Sequence, residues 1–176
     1  MKKIMLLAVL LSSFSFSNID CGDKMSCAKI GLEFRKIGNI EKANEAFTSS
    51  CNLGLALSCS MMGARYEKEK DFLKSIKMYT KGCELNDAIG CKYLGDRLIK
   101  DKKIEEGLSS LKKSCKLKEY SSCEKIGAYY IEGKIVKSDY KKGYSYMDKA
   151  CNQGKREKAC KVLSIMTDAL MNSKSK

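Results

Sequence analysis

Ten cysteines are the residues of this 176-residue chain best able to do chemistry. Three chemistries are open to them: disulfide bonding, thiolate coordination of zinc, and dithiol redox exchange. Their spacing separates the three. Cys27, Cys59, Cys91 and Cys123 stand 32 residues apart, while Cys51, Cys83, Cys115 and Cys151 are spaced by 32, 32 and 36. No two cysteines have the Cys-x2-Cys spacing of a zinc knuckle, and the chain has no histidine to complete a mixed site. No metal or cofactor is therefore expected. One cysteine pair per unit of a repeat in the thirties describes covalent staples in a stacked-repeat chain that folds outside the reducing cytosol.

The units that must position these cysteines align on them. Three residues after each opening cysteine come Ile30, Met62, Leu94 and Ile126, then Gly31, Gly63, Gly95 and Gly127, and at seven residues Phe34, Tyr66, Leu98 and Tyr130. This i, i+3, i+4, i+7 stripe is the buried face of a first helix, A. Counting back from the closing cysteine, Ile40, Phe72, Ile104 and Tyr140 stand at eleven residues and Phe47, Tyr79, Leu111 and Met147 at four, the apolar face of a second helix, B. Proline is absent, which removes the strongest helix breaker. Glycine inside a helix costs about 1 kcal/mol against alanine, so its recurrence implies close approach of backbones within each hairpin.

Composition bounds the class further. With 44% apolar and 31% charged residues the chain is neither disordered nor membrane-spanning. Lys2 and Lys3, the apolar run from Ile4 to Leu11 and the small residues ending at Ser17 describe a secretory leader over 1–17, with the mature chain starting near Asn18. The apolar run is too short for a permanent span. Of 34 basic residues two leave with the leader, and the remaining 32 against 21 acidic residues give a net charge of +11. No Lys/Arg block or interleaved aromatic platform accompanies this charge, so no nucleic-acid partner is expected and the lysines chiefly solvate helix faces. The expected location is secreted or periplasmic, and the expected state a monomer.

In the first unit, Cys27-x2-Ile30-Gly31-x2-Phe34 followed by Ala43-x3-Phe47 resembles the tetratricopeptide pattern with cysteine in place of its leading tryptophan. The fourth unit, from Tyr130 through Gly133, Val136 and Asp139 to Lys142, is more similar to a Sel-one-like repeat. The first three units are four residues shorter at that turn, so tighter turns are expected there. Together with the cysteines the chain resembles the Helicobacter cysteine-rich protein family from about Cys21 to Leu170. That resemblance implies an all-α, right-handed solenoid of αα-hairpins. Its units are expected at about 27–58, 59–90, 91–122 and 123–159, with a cap helix over 160–171 and a polar tail over 172–176, the solenoid as a whole spanning 18–171.

Ten cysteines allow roughly nine hundred complete pairings. Two patterns suit stacked hairpins. A bridge of the type Cys27 to Cys51 would join the two ends of one hairpin. Short-range bridges would instead pair Cys21 with Cys27, Cys51 with Cys59, Cys83 with Cys91, Cys115 with Cys123 and Cys151 with Cys160 across the turns between hairpins. The resemblance implies the short-range set, which also leaves neither Cys21 nor Cys160 without a partner. By chain-entropy arithmetic each such loop stabilises by roughly 2.5 kcal/mol.

The resemblance also implies a β-lactamase, because members of the family are commonly described as such. Serine β-lactamases use Ser-x-x-Lys with Ser-Asp-Asn and Lys-Thr-Gly elsewhere. Six Ser-x-x-Lys matches begin at Ser26, Ser109, Ser110, Ser122, Ser138 and Ser173, a number that so many serines and lysines produce by chance, and neither companion motif occurs. Ser122 and Lys125 would share one helical face. The competing reading is a binding scaffold, since stacked hairpins create an extended concave surface lined by helix A. In the tetratricopeptide register that surface would carry Leu32 and Arg35, Ala64 and Glu67, Lys92 and Asp96, and Glu124 and Ile131. A protein, a peptide or a peptidoglycan-type fragment would fit it, and β-lactams would be the ligand under the enzyme reading.

Overall fold

The computed structural model describes Ile19 and residues 21–174, with the backbone alone for 169–174. The leader expected over 1–17 and the last two residues of the polar tail lie outside the described residues. Helices follow one another as α1 (Lys24–Lys36), α2 (Ile40–Asn52), α3 (Ala56–Lys68), α4 (Phe72–Glu84), α5 (Ala88–Lys100), α6 (Ile104–Lys116), α7 (Tyr120–Glu132), α8 (Tyr140–Asp148) and α9 (Glu157–Lys174). A π-helical turn over Lys149–Gln153 extends α8. No strand occurs among the described residues. Helices α1 and α2, α3 and α4, α5 and α6, and α7 and α8 pack as four hairpins. Each B helix also packs on the next A helix, and α9 closes the stack.

The starts of the helices follow from side chains that satisfy their free N–H groups. Asp23, Asn39, Asp71, Asp87 and Asp139 each accept backbone N–H bonds in the first turn of α1, α2, α4, α5 and α8. Leu55, Lys103 and Glu119 make no such bond. The ends share one device. In all six short turns the residue two past the helix has positive φ and the next N–H returns to a carbonyl five residues back, as in Asn39 N to Phe34 O at 2.9 Å and Asp87 N to Gly82 O at 2.9 Å. Gly38 and Gly54 take the left-handed position without strain, whereas Lys70, Asn86, Lys102 and Lys118 hold it at φ 63–70°.

The A–B turns of the first three hairpins occupy three residues, and that of the fourth runs from Gly133 to Asp139, as the shorter repeats imply. The helix-A glycines have a specific use. A Cβ on Gly31 would lie 2.8 Å from the Phe47 ring, and one on Gly63 would lie 2.5 Å from that of Tyr79. On Gly95 it would meet the Gly107 carbonyl and Leu111 at 2.7 Å. Close approach is thus to an aromatic ring in the first two hairpins and to backbone in the third.

Each repeat also packs forward. Met62 clusters with Ala43 and Phe47 of the preceding hairpin, Leu94 with Tyr79 and Cys83, and Ile126 with Leu111 and Cys115. Four disulfides clip the turns that follow the units, Cys51–Cys59, Cys83–Cys91, Cys115–Cys123 and Cys151–Cys160, and a fifth, Cys21–Cys27, ties the segment before α1 to that helix. Among the described residues no cysteine is free. The fourth turn is longer by one residue, and it coincides with the π-helical turn. There Gly154 meets Tyr120, whose position alanine holds in the two preceding units, and a Cβ on Gly154 would lie 2.3 Å from that of Tyr120.

Candidate functional site: a groove across the second and third repeats

Helices α3, α4 and α5 enclose a groove of ≈ 380 Å³ lined by Ala64, Glu67, Lys68, Tyr79, Tyr93, Asp96, Arg97 and Lys100. Helical spacing explains the lining: Ala64, Glu67 and Lys68 fall on one face of α3, and Tyr93, Asp96, Arg97 and Lys100 repeat at three- and four-residue intervals on α5. Tyr79 reaches the groove from α4. Its ring stacks on that of Tyr93 with centroids 5.5 Å apart and planes 26° from parallel. Tyr79 is 2% exposed and Tyr93 is 41% exposed, so the pair presents one anchored ring and one open ring. Burial pushes the Tyr79 phenol up to about 12.

The acids of this surface are committed to holding repeats together. Glu67 of α3 accepts from Arg97 of α5 at 3.4 Å and from the Ser75 hydroxyl at 3.0 Å. Asp96 of α5 takes the Lys125 ammonium of α7 at 2.7 and 2.8 Å, and Glu124 of α7 takes Arg156, just before α9, at 2.8 Å. Each acid meets a base about one repeat later. Arg97 also pairs with Asp101, and its guanidinium lies 4.0 Å from the centroid of the Phe72 ring. That pairing holds the Asp101 carboxyl below the usual carboxylate range. Lys68 and Lys100 have no ion-pair partner among the described residues. The charge the groove offers a ligand is therefore positive.

The sequence-predicted positions divide accordingly. Ala64, Glu67 and Asp96 come together in the groove. Leu32 and Arg35 are exposed on α1, with Arg35 5.9 Å from the Phe47 ring. Lys92 is half-buried, its ammonium 5.0 Å from the Tyr93 ring. Glu124 is 9% exposed and bound to Arg156. Ile131 packs into the core of the fourth hairpin, close enough that a Cβ on Gly143 would meet it at 2.6 Å. The tetratricopeptide register, which assigns the concave surface to positions one, five, eight and nine after the opening cysteine, covers Lys68 and Lys100 at nine, but nothing in it points to Arg97, Tyr79 or Tyr93. Lys36, Lys68 and Lys100 recur every 32 residues, nine after each opening cysteine.

Among the described side chains, the Ser-x-x-Lys pairs at Ser122, Ser26 and Ser110 assemble no nucleophile and base. Ser122 is 0% exposed, its hydroxyl sharing a 2.8 Å hydrogen bond with that of Ser114, which bonds the Ala88 carbonyl at 2.7 Å. Lys125 is turned to Asp96 instead. The Ser26 hydroxyl donates to Asp23 and the Ser110 hydroxyl to the Glu106 carbonyl. Among the described residues no serine hydroxyl bonds a lysine ammonium, and no cluster of His, Cys, Asp or Glu could hold a metal. No helix is long and apolar enough to cross a membrane, again among the described residues.

Comparison with known proteins agrees with this architecture. The Sel1 repeat family model matches residues 49–87 and 121–155. A Sel1 repeat protein from Oxalobacter formigenes superposes with a TM-score of 0.69 at 23% identity, covering 74% of this chain and 59% of its own. A protective antigen of uropathogenic Escherichia coli with an SLR fold gives 0.65 at 22% identity, covering 76% and 31%. The chain thus spans less than two thirds of either. Cysteine-rich protein B of Helicobacter pylori gives 0.54 at 27% identity, covering 71% of this chain and 95% of its own. No curated protein matches the chain.

Proposed function

We propose that this Sel1-repeat solenoid is an exported binding scaffold whose groove takes an extended peptide segment of a protein partner, with an acidic side chain beside an apolar or aromatic anchor. The carrying observation is the division of charge in the groove. Glu67 and Asp96 are spent on inter-repeat ion pairs, leaving Lys68 and Lys100 beside the stacked Tyr79 and Tyr93. Tyrosine offers contact area at low entropic cost, and the lysines select charge. A peptidoglycan-type fragment carrying carboxylates shares part of this chemistry. Export is supported by the leader sequence and by five disulfides, which persist in oxidising compartments.

For the hydrolysis of β-lactams implied by resemblance, the Ser122 and Lys125 pair supplies no free nucleophile and base: Ser122 is buried and Lys125 is held by Asp96. Purified oxidised protein is expected to turn over a chromogenic cephalosporin no faster than buffer.

A peptide-display selection on the oxidised protein tests the binding reading. Acidic, aromatic-containing peptides are expected to enrich, and Lys68→Glu with Lys100→Glu to weaken them by about tenfold or more, which is about 1.4 kcal/mol. Tyr93→Ala should do likewise. Enrichment indifferent to all three substitutions, or no enrichment at all, would refute the assignment.

A further inference from the structure

The two ends of the stack are built differently. In the second, third and fourth units the residue three after the opening cysteine is covered by the preceding B helix: Met62 is 2% exposed, Leu94 6% and Ile126 0%. Ile30 holds this position in α1, is only half-buried, and among the described residues has no preceding hairpin. It lines an apolar groove of ≈ 270 Å³ with Lys29, Glu33, Phe34 and Ile37. Ile37 is 74% exposed, at a position where the later units carry Glu69, Asp101 and Gly133. The described outer side chains of α9 are mostly polar: Lys158, Lys161, Ser164 and Asp168 are exposed, with Ile165 as the apolar exception. A solenoid end open to water is normally polar, and among the described residues the outer face of α9 meets that requirement while that of α1 does not.

We infer that the outer face of α1 is a self-association surface, covered by the same face of a second copy of this chain in an antiparallel, twofold pairing. The face is complementary to itself. About an axis between Gly31 and Leu32, Ile30 lies across from Phe34 of the second copy and Lys29 across from Glu33. Each match falls within about 1.5 Å of register, one residue's rise. Glu33 is bound to Lys36 at 2.8 Å, but both side chains are about 70% exposed, and such a surface pair leaves the carboxylate free to exchange partners. A head-to-tail stack would set this apolar face on the polar face of α9, whereas the twofold arrangement closes and buries both apolar faces at once.

The described fold lies within residues 19–174, so the chain from Asn18 carries every contact invoked. Sedimentation equilibrium of that oxidised chain is expected to show a concentration-dependent dimer. Ile30→Glu with Ile37→Glu should leave a folded monomer, with helicity and all five disulfides retained. Lys29→Glu alone, and Glu33→Lys alone, should each weaken the dimer by about tenfold, since each sets like charges opposite one another. The double reversal Lys29→Glu/Glu33→Lys should restore it. A chain that stays monomeric at every concentration overturns the proposal, leaving this face to the leader run Ile4–Leu11 or to a different protein. So does a dimer that none of these substitutions weakens, or a double reversal that fails to rescue.

Discussion

Ser60 offers a sharp test of how the repeats are packed. Its hydroxyl is buried, at 4% residue exposure, and has no hydrogen-bond partner among the described residues. In the first and third units the corresponding inter-repeat contact is a serine pair, Ser50 with Ser58 and Ser114 with Ser122, each at 2.8 Å. In the second unit that pair is replaced by Gly82 and Gly90, and the Ser60 hydroxyl fills the space they leave. A Cβ on either glycine would lie 2.4 Å from it. An unsatisfied buried hydroxyl costs about 1–3 kcal/mol. Removing it as Ser60→Ala leaves an oxygen-sized void of roughly 15–20 Å³, worth about 0.4 kcal/mol. Ser60→Ala should therefore stabilise the protein by about 1–2 kcal/mol. Gly90→Ala alone forces the hydroxyl aside and should destabilise, despite a helix-propensity gain of about 1 kcal/mol. In the Ser60→Ala background its next neighbours lie at 3.3 Å, so the same change should become neutral or stabilising. The coupling expected in this double-mutant cycle is about 2 kcal/mol. Guanidinium unfolding of the oxidised variants, followed by circular dichroism, measures it. A destabilising Ser60→Ala, or a Gly90→Ala effect equal in both backgrounds, would refute the reasoning.

Three further outcomes are expected. Lys70→Gly, Lys102→Gly and Lys118→Gly relieve left-handed lysines and should each raise stability by about 0.5–1 kcal/mol, additively because the sites lie in different turns; thermal melts that fall for any of them would contradict the assignment. Tyr79 has its phenol pushed up to about 12 from the ordinary value of 10.0, so the unfolded chain ionises first. Stability from this group is complete below pH 10.0 and lost progressively as pH rises through about 12, by on the order of 2 kcal/mol. Tyr79→Phe should flatten that part of the pH–stability curve, and an unchanged curve would count against it. The three central disulfides have cysteines 0–6% exposed, whereas Cys21, Cys151 and Cys160 are only half-buried. Mild reductant should thus open Cys21–Cys27 and Cys151–Cys160 first, and mass spectrometry of alkylated protein showing a central bridge reduced first would overturn that order.

Much of the scaffold was legible because helix periodicity is a local property. The stripes through Ile30 and Phe34, or Met62 and Tyr66, announce helix A from residues within two turns of one another, and Ala43 with Phe47 does the same for helix B. The shorter first three turns followed directly from residue count. Less was legible in the groove. Ala64, Glu67 and Asp96 were reachable from register, but Tyr79 belongs to the buried stripe of α4, and its place beneath Tyr93 depends on how α4 and α5 are set against each other. Ile131 shares its register position with Arg35 and Glu67. It turns into the fourth hairpin because Gly143 leaves room for an apolar side chain there.

Sequence alone determined the period, the two helices of each unit and the cysteine ladder, since each is written in spacings along one chain segment. Only the tertiary structure decided which side chains from successive units meet. Glu67 finds Arg97, Asp96 finds Lys125 and Glu124 finds Arg156 across 29 to 32 residues. Those contacts depend on the offset and rotation between stacked hairpins, set jointly by the packing of Met62, Leu94 and Ile126 and by the turns the disulfides clip. The same stacking hid Ser122 in a hydroxyl pair and left Lys68 and Lys100 unpaired. It also left Ile30 only half-buried, because among the described residues no hairpin precedes this face, which is core in every later unit.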